Sequence, residues 1–100
     1  MPDKAVRERM KKVQSLKILH EKALSLREFL LSEKEIVVGL LQKSLRGQDG
    51  ERVDNLRTRV QEKDRQLHLI EEELREIQVQ LAEAESRLQQ AQSAGAKGDK

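Results

Sequence analysis

From Val53 to Ala91 an apolar side chain recurs at nearly every third or fourth position, and this regularity restricts the fold more than any other feature. Written as heptads, the a positions are Val53, Val60, Leu67, Leu74, Leu81 and Leu88, and the d positions are Leu56, Lys63, Ile70, Ile77, Ala84 and Ala91. Six heptads with one charged member describe a helix with a narrow apolar seam, stable only against another helix. Composition agrees. Charged residues form 38% of the 100-residue chain and aromatics 1%, so the rings that thicken a globular core are absent apart from Phe29.

The first half carries a comparable seam in Leu16, Leu19, Ala23, Leu26, Leu30, Glu33, Val37 and Leu40, with Glu33 as its charged member. Between the halves lies Arg46-Gly47-Gln48-Asp49-Gly50. Each of its two glycines disfavours a helix interior by roughly 1 kcal/mol, which marks a stop and a restart. Gly47 suits the left-handed residue that closes a helix, and Asp49 suits the N-cap of the next. The expected organisation is a helix over 1–45, a turn over 46–50, a second helix with regular heptads over 51–93, and a flexible polar tail over 94–100.

The two charged members suggest a register. If the second segment folds back so that the numbers of facing residues add to about 96 or 97, Leu40 meets Leu56, Val37 meets Val60 and Leu30 meets Leu67. Leu26 then meets Ile70, Ala23 meets Leu74, Leu19 meets Ile77 and Leu16 meets Leu81. Glu33 comes beside Lys63 in the same register, and paired charges in an apolar seam can fix alignment. Residues 3–22 hold seven Lys or Arg against three acids, and residues 62–85 hold eight acids against three bases. Folding back sets most of these unlike blocks side by side. The predicted fold is all-α: an antiparallel helical hairpin, a coiled coil that dimerises into a four-helix bundle. The alternative is a long parallel two-chain coiled coil.

The first segment has more apolar residues than one seam uses. Phe29-Leu30-Leu31, Ile36-Val37-Val38 and Leu40-Leu41 put apolar groups nearly all round the helix. A stripe of Met10, Leu24, Leu31, Val38 and Leu45, interrupted by Lys17, repeats every seven residues. A helix apolar on more than one side is normally covered on more than one side. Met10, Leu24, Phe29, Leu31, Ile36, Val38 and Leu45 are therefore expected to form a face for a second copy of the chain or for another helical protein.

Other functions find little support in the residues. Cysteine is absent, which removes disulfides and thiolate metal sites. The charged N-terminus has no apolar core of a signal peptide, and no apolar run approaches the ~20 residues of a membrane helix; the expectation is a soluble, cytoplasmic protein. His20 and His68 have too few ligand types around them for a metal site, and no phosphate loop, nucleophile motif or dinucleotide fingerprint occurs. No catalytic residue, cofactor or small-molecule substrate is expected. The alternative function is RNA or DNA binding through the basic stretch Arg7–Lys12. It lacks stacking aromatics, and a net charge of +2 gives little general attraction.

Residues 32–45 (SEKEIVVGLLQKSL) and 61–74 (QEKDRQLHLIEEEL) share an acid-Lys-acid step, an apolar pair, and a leucine four residues on. In these two stretches the chain resembles long centrosomal and cytoskeletal coiled-coil scaffolds of the centrosomin and myomegalin kind. The resemblance implies a segment of a scaffold that organises microtubule-nucleating or membrane-associated assemblies. It assigns no binding residue.

Overall fold

The computed structural model describes residues 4–98, with side chains as far as Ala94. It consists of α1 (Lys4–Gly47) and α2 (Gly50–Gly98), an antiparallel hairpin with no strand among the described residues. The long parallel two-chain alternative required the helix to run on through the glycines. It stops there, and the chain reverses.

The reversal has a defined chemistry. The Gln48 N–H donates to the Leu45 carbonyl and the Asp49 N–H to the Ser44 carbonyl, both at 3.4 Å, which is the paired closure of a Schellman motif. Gln48 is the left-handed residue, with φ of 58°, whereas Gly47 is the last residue of α1 and has no positive φ. The expected glycine closure is thus displaced by one position. Asp49 caps α2: its Oδ1 accepts from the Arg52 N–H at 3.2 Å, satisfying one of the free donors of the first turn. At the other end α2 is helical to Gly98, so the tail expected over 94–100 is helix as far as it is described, and residues 99 and 100 lie outside the described part.

Contacts divide the hairpin into two units, residues 23–73 around the turn and, among the described residues, 4–22 with 74–98 at the chain ends. In the turn unit Ala23, Leu30, Val53, Leu56, Leu67 and Ile70 are buried, with Val37 and Val60 half-buried. Lys63 Nζ donates to Glu33 Oε1 at 3.0 Å, and Lys34 pairs with Asp64 beside it. In the end unit Val13, Leu16 and Ala84 form a cluster onto which Leu81 and Leu88 pack, and Leu74 and Ile77 are buried. Arg9 donates to the Arg87 carbonyl at 3.2 Å. Each unit therefore shows the same alignment, with facing residue numbers adding to about 96 or 97.

On α2 the buried side is the a/d row read from the heptads. On α1 it is not the row expected. Leu19, Leu26 and Leu40 lie outside the seam, at 50%, 47% and 36% exposure. Their places are taken by the next residues along, so the row facing α2 runs Val13, Leu16, His20, Ala23, Arg27, Leu30, Lys34, Val37, Leu41 and Ser44. Leu16, Ala23, Leu30 and Val37 belong to both rows. The choice between Leu26 and Arg27, or Leu19 and His20, turns on the rest of the helix. Rotating α1 this way also draws in Leu24, Val38 and Leu41, all half-buried. His20, Arg27 and Lys34 can lay their stems over the seam and keep most of their polar tips at its edge. The fit is imperfect, since His20 Nε2 and Arg27 Nε are buried without a partner.

Candidate helix-binding face

Numbering the α1 heptads from that buried row makes Leu19, Leu26, Glu33 and Leu40 its g positions and Phe29 and Ile36 its c positions. Leu26, Phe29, Glu33, Ile36 and Leu40 then follow at spacings of three and four, which is itself a heptad seam. All five belong to the turn unit. Phe29 is 59% exposed and Ile36 65% exposed, the latter the most exposed large apolar side chain described. Leu69 of α2 extends the patch at 58% exposure, lining a shallow cleft with Leu26, Leu30, Gln66, Ile70 and Glu73.

The seven residues expected to form one outer face fall on two sides of α1. Met10, Leu24, Leu31, Val38 and Leu45 are its e positions, and Phe29 and Ile36 lie about 160° further round, at roughly 100° per residue. Leu24 and Val38 are half-buried along the hairpin, while Met10, Leu31 and Leu45 are exposed. Polar residues at the b positions (Gln14, Glu21, Glu28, Glu35 and Gln42) keep the e row from widening. The g/c row is bordered instead by the small f positions Ser25, Ser32 and Gly39 and ends at Lys22 and Lys43. Leu26 and Leu40, expected inside the hairpin, belong instead with Phe29 and Ile36. Leu69 carried no signal of its own, standing among polar neighbours on a helix whose seam was already accounted for.

The remaining polar groups lie apart. His68 Nε2 approaches Glu72 Oε1 at 3.1 Å on the exposed side of α2, and His20 belongs to the other unit. No group of three or more His, Asp or Glu able to hold a metal occurs among the described residues. Arg9 and Lys12 of the basic stretch border one cleft with Arg87, Gln80 and Glu83, in which the Arg9 guanidinium is engaged by a carbonyl. No described helix is long and apolar enough to cross a membrane. No family model matches the chain, and neither the curated proteins nor the solved structures give a match.

Proposed function

We propose that this chain is a helix-association module, acting as a scaffold or adaptor element, and that its working surface is the apolar row the hairpin leaves uncovered. The exposure of Phe29 and Ile36 in one row with Leu26 and Leu40 carries the reading. A buried leucine or phenylalanine contributes roughly 1.5–3 kcal/mol over an exposed one, so covering this row is strongly favoured. The supporting chemistry is burial of side chains against another helix, with no group required to bind or transform a small molecule. A second copy of the chain is the simplest cover. A cytoskeletal or centrosomal setting is supported by the resemblance of residues 32–45 and 61–74 alone.

The test uses the absence of tryptophan and tyrosine from the chain. A Phe29→Trp variant carries a single reporter in the middle of the row. As protein concentration rises from micromolar to millimolar, its emission should move to the blue and its quenching by acrylamide should fall, with helix content retained. A tryptophan that stays fully quenchable throughout that range would remove self-association as the function of this surface.

A further inference from the structure

We infer that the g/c row of α1 is a self-complementary surface on which a second copy of this chain docks antiparallel, about a two-fold axis passing beside Ser32 and Glu33. The inference rests on the association reading above and adds the surface, the occupant and the orientation.

The first support is the symmetry of the row. About a two-fold axis between residues 32 and 33, Phe29 faces Ile36 and Leu26 comes within one residue of Leu40. A surface that meets its own copy about such an axis must present like with like after the exchange. This row does so across the axis, leucine onto leucine and one large apolar group onto another. The neighbouring row obeys the same symmetry. Within residues 23–40 the f positions Ser25, Ser32 and Gly39 are all small and exposed, and the axis brings Ser25 within one residue of Gly39 and sets Ser32 near itself. Small residues beside an apolar seam allow two helix backbones to approach closely.

Gly39 is the second support. A Cβ built there would meet nothing within 4 Å, so packing within the hairpin gives no reason for glycine. In the interior of a 44-residue helix glycine is unfavourable by about 1 kcal/mol relative to alanine. An approaching helix supplies the missing reason: the antiparallel alignment sets Gly39 against Ser25 and Leu26 of the second copy.

Charge is the third. Two Glu33 side chains meet at the axis, and each brings its own Lys63 Nζ at 3.0 Å, so the axis collects two acids and two bases. The Glu33 side chain is still 37% exposed, leaving acceptor capacity toward the Ser32 hydroxyl of the second copy. A parallel pairing would set Phe29 on Phe29 and Gly39 on Gly39, crowded at one level and hollow at another.

The chain has no cysteine, so single cysteines report the geometry cleanly. Leu26→Cys and Leu40→Cys proteins are mixed in equal amounts and oxidised mildly, alongside sedimentation equilibrium of the unmodified chain. The expected result is a dimer, with 26-to-40 disulfides forming several-fold more readily than 26-to-26 or 40-to-40. Phe29→Glu with Ile36→Glu should weaken that dimer at least 100-fold at unchanged helix content, and Leu31→Glu with Leu45→Glu should leave it intact. Dimers that crosslink 26-to-26 would overturn the orientation while leaving the association reading standing, and dimers that break on the Leu31 and Leu45 changes instead would overturn this surface in both readings. A chain that is monomeric at every concentration would overturn this inference and remove self-association from the association reading.

Discussion

Gln48 holds a backbone conformation that an L-amino acid adopts at a cost of roughly 1–2 kcal/mol, next to a glycine that does not use its freedom. The two closing hydrogen bonds, from the Gln48 and Asp49 amides, fix which residue turns left-handed, and they select position 48. Gly47, in helical conformation with open space where a Cβ would go, carries only the entropic disadvantage of glycine. Exchanging the roles should therefore help twice. Gln48→Gly relieves the left-handed strain, less the added freedom of the unfolded chain, and Gly47→Ala removes that freedom. Each change should raise stability by about 0.5–1 kcal/mol, and the pair should raise the melting temperature by roughly 4–16 °C on the scale for a chain this size. Thermal unfolding followed by circular dichroism, at a concentration low enough to keep association constant, measures this. A Gln48→Gly protein less stable than the parent would mean that the glutamine side chain holds the turn in a way the hydrogen bonds do not explain.

At the scale of the helices, α2 offers one apolar row and α1 offers several, and this difference decides what could be read in advance. The a/d row of α2, the break near the midpoint and the Asp49 cap each follow from a local rule with a single answer. Glu33 and Lys63, the lone charges of two apolar rows, are 3.0 Å apart. The rotation of α1 was not legible in the same way. Leu19, Leu26 and Leu40 are more apolar than His20, Arg27 and Lys34, and ranking rows by hydropathy puts the leucines inside. The hairpin instead satisfies a sum over neighbouring rows. With His20, Arg27 and Lys34 inward it half-buries Leu24, Val38 and Leu41 and leaves Leu19, Leu26 and Leu40 more exposed, while the arginine and lysine stems lie at the seam edge. The Glu33–Lys63 pair is partly exposed, and a pair of that kind contributes little to stability, about 0–1 kcal/mol. Its value lies in alignment. Lys63→Leu should keep or raise the melting temperature while loosening register, because a leucine at a d position packs as well one turn along. Spin labels at Glu8 and Gln90, in the end unit, would show a broadened distance distribution in place of a single narrow one. A narrow distribution with a large loss of stability would assign the pair an energetic role instead.

For the whole molecule the constraint is that two helices enclose nothing. No large side chain among those described falls below 2% exposure, and Leu74, the most buried of the core, retains 4%. A layer of two helices covers each side chain from one direction, so its stability is low for its length and any third or fourth helix adds burial at little further ordering cost. The proposed association would continue folding, and its determinants should be separable from those of the hairpin. Gly39 offers the sharpest separation, because the two demands on it have opposite signs. Gly39→Gln adds a helix-favouring residue at an exposed position, and should stabilise the isolated hairpin by roughly 0.5–1 kcal/mol. On the antiparallel dimer surface the same side chain pushes the two backbones apart, and the dimer should weaken about tenfold or more. Chemical denaturation below the dimerisation range reads the first effect, and sedimentation equilibrium reads the second. A variant that is more stable and equally or more strongly associated would place Gly39 outside the contact and take with it the close approach of the two α1 helices. A variant that gains stability and loses association would show that the glycine is kept for the partner, at the expense of the helix that carries it.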